Sequence, residues 1–188
     1  MNAHELADKH GMLDRSEVDL IQHCVNLLPD KPVIVNIGAN IGTSTCAMLE
    51  ANQEAFIFSI DPKPYPEERE NLLACNLPAD RVVRVLSKSQ NVAFPYEIDM
   101  VFVDGGHHDE AVMGDIKRYI PLTRHIALFH DYNHPIYATK PGVNLDQIVD
   151  EAMENWERIG QARYLVAFQR PQIMLIPQWQ DTGVMVYD

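Results

Sequence analysis

The segment Val33 to Ser44, VIVNIGANIGTS, constrains this chain more than any other. An apolar run leads into a glycine-bearing turn and a helix start. A second apolar run, FIFSI, then ends at Asp61. This is the layout of a nucleotide-binding βαβ unit. Glycine lets the backbone approach a ligand, the helix N-terminus offers free N–H groups, and the acid can hold a ribose diol. Spacing narrows the ligand further. Gly38 and Gly42 form G-x-x-x-G, whereas dinucleotide fingerprints read G-x-G-x-x-G, so a nicotinamide dinucleotide fits poorly.

The alternation continues along the chain. Asp14 and Glu17 predict a capping box, and Val18, Ile21, Val25 and Leu28 follow at helical spacing until Pro29. Strands are predicted at Val33–Ile37, Phe56–Ile60, Val82–Leu86, Asp99–Val103 and Ile126–Phe129. Helices are predicted over Gly42–Glu50 and Glu67–Cys75, and along Val112, Ile116 and Ile120 up to Pro121. Leu145, Ile148, Val149, Ala152, Trp156 and Ile159 predict one further helix, stopped at Gly160. Tyr164–Phe168 and Gly183–Tyr187 read as two closing strands with no helix between them, hence antiparallel. The short apolar run Ile173–Ile176 has no assigned place, and Met12, Met113 and Met153 read as core filler. The expected fold is α/β: a three-layer Rossmann-like single domain with an N-terminal helical segment over residues 1–30, a mostly parallel sheet and a C-terminal antiparallel hairpin.

Charge and cysteine content remove several classes of function. Fifteen Lys and Arg face 27 Asp and Glu, a formal charge of −12, which argues against a phosphate backbone as main partner. Cys24, Cys46 and Cys75 are scattered and odd in number, a poor basis for a disulfide framework or a zinc site. The N-terminus lacks an apolar leader core and no run reaches membrane-spanning length. The expectation is a cytoplasmic protein with no membrane partner.

In an open parallel sheet, ligands gather beyond the carboxyl ends of the strands. Polar residues stand at five such ends: Gly38, Asn40 and Gly42; Asp61; Ser87, Lys88 and Ser89; Asp104, His107 and His108; His130 and Asp131. This order, with DMVFVDGGHHDEAVMGDI and IALFHDY, resembles class I S-adenosylmethionine-dependent methyltransferases, in particular small-molecule O-methyltransferases with D-G-x-H and H-D-Y motifs. The resemblance covers nearly the whole chain. It implies that Gly38, Asn40, Gly42 and Ser44 hold the methionine part of the cofactor and Asp61 its ribose; Asn36, Ser87, Lys88, Ser89 and Asp104 complete the expected cofactor-binding set. Two positions depart from the pattern. Asn36 stands where an acid often ends strand one, and Lys88 stands where an acid often lies near adenine.

Catalysis is expected from Asp104, His107, His130 and Asp131. The resemblance to metal-assisted O-methyltransferases also offers Asp104, His130 and Asp131 as a divalent-ion set, although a histidine equally suits a metal-free base. The expected activity is methyl transfer to a small hydroxylated acceptor, with S-adenosylmethionine as cofactor and homo-oligomerisation open. The alternatives are a non-catalytic cofactor-binding protein and a metal-dependent hydrolase.

Overall fold

The computed structural model describes residues 1–94, 96–139, 144–171, 178–179 and 185–186. Two capped helices open the chain: α1 (Ala3–His10) and α2 (Arg15–Asn26). In α2, Asp14 and Glu17 form the predicted capping box, and Asn2 with Glu5 repeats it in α1. The alternating half follows as β1 (Val33–Ile37), α3 (Thr43–Ala51), β2 (Phe56–Asp61), α4 (Glu67–Ala74), β3 (Val82–Leu86), β4 (Ile98–Val103), α5 (Asp109–Tyr119) and β5 (Thr123–Phe129). The chain continues as α6 (Pro135–Ala138), α7 (Leu145–Ala152), β6 (Glu157–Ala162), β7 (Leu165–Gln169), β8 (Gln178–Trp179) and β9 (Met185–Val186).

Seven strands form one sheet in the order β3-β2-β1-β4-β5-β7-β6. The five from β1 to β5 are parallel, and β7 enters antiparallel to both β5 and β6. Period-two alternation sorts the strand side chains onto two faces. Ile34, Ile57, Phe102 and Leu128 pack under α1 to α4, while Val35, Ile60, Val101 and Phe129 pack against α5 and α7. These buried faces make the three layers.

Three expectations are corrected. The apolar stripe from Leu145 to Ile159 is not one helix: α7 ends at Ala152, and Ile159 lies in β6. Apolar residues at 148, 149, 152, 156 and 159 satisfy a helical period, but hairpin pairing of β6 with β7 prevails. Gly160 is therefore no helix stop. It sits where a Cβ would come within 2.7 Å of Leu20 Cδ1, so it admits α2 close to the sheet. The strand at Leu165–Gln169 takes β6 as its hairpin partner, while Met185–Val186 pairs with Gln178–Trp179 in a separate small ribbon. The remainder of Gly183–Tyr187, and the run Ile173–Ile176, lie outside the described residues. Met12 is no core filler either, being 52% exposed, whereas Met153 is buried.

One contact fixes the middle of the sheet. Gly38, at φ 81°, leaves β1 with its α-carbon against the backbone that leaves β4; an added Cβ would lie 1.8 Å from the Asp104 carbonyl oxygen. Backbone cannot yield as a flexible side chain can, and the positive φ adds its own penalty for an L-residue. Gly38→Ala should therefore destabilise the fold by about 3 kcal/mol or more, at the severe end for single substitutions. Urea unfolding checks this, and a loss below about 1 kcal/mol would mean that the loop accommodates a side chain.

Candidate functional site

A cleft of about 800 Å³ opens over the carboxyl ends of the parallel strands, within the usual range for small-molecule sites. Gly38, Asn40, Ser44, Asp61, Lys88, Ser89, Asp104, His107, His130 and Asp131 all line it. Asn36, Gly42 and Ser87 do not. Asn36 shares a face with Ile34 and is fully buried under α3, where its amide donates to Ser44 Oγ and Thr45 Oγ1 at 3.0 Å each. Gly42 caps α3 at φ 86° and packs against the Glu68 side chain. Ser87 Oγ donates to the Lys88 carbonyl.

The half of the cleft formed by β1, β2 and β3 offers backbone groups and one acid. α3 begins at Gly42 without a side-chain cap, which leaves its first-turn N–H groups for a ligand. Asp61 is buried, and its carboxylate accepts from Asn40 N at 3.1 Å and Lys63 N at 2.9 Å, one bond to each oxygen. A carboxylate has about four acceptor sites, so capacity for a diol is left. Ser89 is buried, its hydroxyl donating to Asp115, and Asp115 also accepts from Gln90 Nε2 at 3.0 Å. Burial pushes the Asp115 carboxyl up to about 6. This acid fastens the loop after β3 to α5.

The other half is charged. His107 Nδ1 stands 2.6 Å from Asp131 Oδ2, with the ring 43% exposed to the cleft. Its pKa is raised, first by that hydrogen bond and against the effect of burial. His130 is more enclosed: Nδ1 lies 3.2 Å from Asp104 and 3.4 Å from Asp131, and Nε2 lies 3.4 Å from Glu17. None of these carboxylates lies in line with a ring N–H, so the ring is held by charge proximity rather than by aligned hydrogen bonds. Burial opposes its protonation, but the charge of Asp104 and the close polar contacts with Asp104, Asp131 and Glu17 outweigh it and push the imidazole up to about 12. It is an imidazolium at neutral pH. Burial pushes the Asp104 carboxyl up, while the two histidines overcome the same effect at Asp131 and hold it well below the usual range. Asp104, His107 and Asp131 offer ligand atoms within 4.8 Å of one another, a set of two carboxylates and one imidazole. Of the expected metal set, Asp104 and Asp131 belong to this group, with His107 in place of His130 among the described residues.

Sequence reading missed several contributors. Glu17, taken only as a helix cap, is 2% exposed, and its Oε1 also accepts from Tyr164 N at 3.0 Å. Met12, His134, Tyr137, Arg163 and Tyr164 line the cleft as well. His108 caps α5, its Nδ1 accepting from Ala111 N at 3.2 Å. Asn40, Asp131 and Arg163 hold positive φ values of 49°, 62° and 45°. Such strain is found where surrounding structure enforces it, often at sites.

The buried cation has a measurable consequence. An unfolded histidine titrates near 6.5, so a folded value near 12 contributes stability in full below about pH 6.5 and loses it progressively as pH rises toward 12. The loss is at most about 1.4 kcal/mol per pH unit for one proton. His130→Asn should therefore be far less stable than the wild type at pH 6.5, with the gap narrowing by pH 9 in urea unfolding. A gap independent of pH would contradict the charge assignment.

Comparison with known proteins identifies the family and the fold. A sequence profile described as a methyltransferase domain matches residues 35–132, just over half of the chain. No curated protein shows a significant match. Among solved structures, an S-adenosylmethionine-dependent O-methyltransferase from Thermotoga maritima superposes with a TM-score of 0.65 at 9% identity, over 90% of this chain and 71% of its own. The 1,6-didemethyltoxoflavin-N1-methyltransferase of Burkholderia thailandensis, with its substrate and S-adenosylhomocysteine bound, gives 0.60 at 12% identity over 89% and 84%. A protein of Clostridium thermocellum named provisionally as an rRNA methylase gives 0.64 at 16% identity over 85% and 98%. At these identities the likeness establishes the fold, and the profile establishes the family. The chain belongs to the methyltransferase-domain family, enzymes that transfer the methyl group of S-adenosylmethionine.

Proposed function

We propose that the enzyme methylates a hydroxyl group of a small acceptor, with His107 as the general base. The observation that carries this reading is the 2.6 Å contact between His107 Nδ1 and Asp131 Oδ2 at the cleft surface. Asp131 orients the ring and leaves Nε2 for the acceptor proton. His130 is unsuited to that role, because its imidazolium is enclosed by Glu17, Asp104 and Asp131. It serves as the fixed positive charge that lets two carboxylates share one rim.

The uncapped start of α3 and the left-handed Gly38 suit a ligand approaching the backbone closely. We assign Gly38, Asn40 and Ser44 to the methionine part of S-adenosylmethionine, Asp61 to its ribose hydroxyls, and Lys88 with Ser89 to its adenine edge. Asn36 and Gly42 act one step back, shaping that loop. When bound, S-adenosylmethionine supplies a methyl group already activated on a sulfonium. The chain's own work is to align the acceptor and remove its proton. The net charge of −12 supports a small acceptor over a nucleic acid.

A second reading rests on the convergence of Asp104, His107 and Asp131. These residues would hold a divalent ion, which would acidify the acceptor hydroxyl. His107 cannot then act as base, so the two readings separate cleanly. Under the base reading, activity falls as pH falls through the raised pKa of His107, with a limb above 6.5. Asp131→Asn removes the largest cause of that elevation and should move the limb toward 6.5. His107→Gln should lower kcat by about a hundredfold or more, with binding of S-adenosylhomocysteine kept. Activity abolished by a chelator and restored by a divalent ion would overturn the base in favour of the ion. Cofactor binding without turnover on any hydroxylated acceptor would remove both.

A further inference from the structure

The turn that follows β3 hangs on α5. Ser89 and Gln90 of this turn line the cleft. The Tyr119 hydroxyl donates to the Ser89 carbonyl at 2.8 Å, and Arg118 donates to the Val92 carbonyl at 3.1 Å. The Gln90 stem lies on Gly114, where an added Cβ would come within 3.1 Å of Gln90 Cγ. Behind these contacts stands Asp115, 1% exposed and set back from the cleft lining. Its Oδ1 accepts from both Ser89 Oγ and Gln90 Nε2. Its Oδ2 is buried without a hydrogen-bond partner among the described residues, and an added Cβ on Gly105 would lie 3.4 Å from it. Gly105 belongs to the loop after β4 and lines the cleft as well. An ionised carboxylate only accepts hydrogen bonds, so it dictates which end of each partner it meets. The Ser89 hydroxyl must turn its proton to Asp115. The Gln90 amide must turn its NH₂ toward α5, where it also meets the Ala111 carbonyl at 3.3 Å, and its Oε1 is the end left over.

We propose that Asp115 is a positioning residue: from behind the cleft it holds the Ser89–Gln90 edge in the arrangement that receives the cofactor, and on taking up a proton it lets the cofactor go. The inference rests on the methyl-transfer reading above, which assigns Ser89 to the cofactor, and deepens it. A protonated carboxyl carries a donor of its own, so the single arrangement of hydroxyl and amide is lost. Hydrogen bonds to a charged acceptor are also roughly twice as strong as those to a neutral one. The charge is kept against the interest of the fold. Burial raises the carboxyl to about 6, opposed by the bonds from Ser89 and Gln90 and by the charge of Arg118. An unfolded aspartate titrates near 3.9, so the fold favours the protonated acid. That contribution to stability is full below about pH 3.9 and is lost as pH rises through about 6. A buried acid that is ionised at neutral pH without stabilising the fold is the pattern of a group that serves a site. The turn and the loop after β4 bring Ser89, Gln90 and Gly105 to it, none of them titratable. From α5 itself, Arg118 adds a constant positive charge, as any arginine does, and Tyr119 stays neutral, its hydroxyl pushed up by burial and by Asp115.

The test is the pH profile of S-adenosylhomocysteine affinity, measured by calorimetry between pH 5 and pH 8. The wild type should bind about fivefold more weakly at pH 5 than at pH 7.5, the order set by one hydrogen bond losing its charge, with the fall setting in near pH 6. Asp115→Asn, which cannot ionise, should be about fivefold weaker than the wild type at pH 7.5 and should lack this step. Asp104 and His107 also have raised pKa values, but both residues remain in the two proteins, so the difference between the profiles belongs to Asp115. Gln90→Met removes the amide and keeps the acid. It should weaken binding at pH 7.5 and flatten the same step, and it carries the test if Asp115→Asn fails to fold. Wild-type affinity independent of pH, a step of equal size in the wild type and in either variant, or an Asp115→Asn defect of the same factor at every pH would overturn the role of Asp115. Failure of S-adenosylhomocysteine to bind the wild type at pH 7.5 would instead overturn the methyl-transfer reading itself.

Discussion

The close passage of Gly38 over the Asp104 backbone is the constraint on which the site depends. β1 lies between β2 and β4, so successive connections leave it in opposite directions and a crevice opens at the point of reversal. The hydrogen bonds Gly38 N to Ile60 O and Asp104 N to Ile37 O continue the sheet ladder one residue past the strand ends. They lock three loops into one rim before any side chain is considered. A side chain at position 38 would wedge the rim apart. The half of the cleft built by β1 to β3 and the half built by β4 and β5 therefore share one rigid edge.

Electrostatics complete what the backbone begins. Three carboxylates and two imidazoles crowd one end of the cleft, and such a group would repel itself without internal compensation. His130 supplies it by taking Glu17 on one side and Asp104 with Asp131 on the other. Glu17 belongs to α2 and also accepts from the Tyr164 backbone, so one buried acid couples the N-terminal helix, the β6–β7 turn and the rim. Tyr132 adds a second tie, bonding Asp150 of α7 and Arg158 of β6 through its hydroxyl. The N-terminal segment thus forms part of the cleft wall rather than an appendage to the sheet.

Much of this was legible from residues alone. Each parallel strand is a mainly apolar run that gives way to glycine or a polar residue, so the rim could be enumerated before its geometry was known. Inward and outward directions were harder to read. Asn36 follows Ile34 by two residues and must share its face under α3, yet its place at a strand end favours the rim. His130 and Asp131 are adjacent, and only the packing of α2 decides that one becomes an enclosed cation. Trp156 and Ile159 satisfied a helical period that hairpin pairing overrode. Met12 lies in a short connection between α1 and α2, where periodicity carries no information about burial. Glu17 was visible as a cap, but its second and third contacts come from residues more than a hundred positions away.

The central claim is that the loops after β1, β2 and β3 bind S-adenosylmethionine as one continuous surface. Amide hydrogen exchange, followed by mass spectrometry with and without S-adenosylhomocysteine, tests it directly. The account predicts slowed exchange together in residues 38–46, 61–63 and 87–90, with the outer groove bounded by Pro64, Leu72 and Leu86 unaffected. Protection confined to that outer groove, or no protection at saturating ligand, would contradict it.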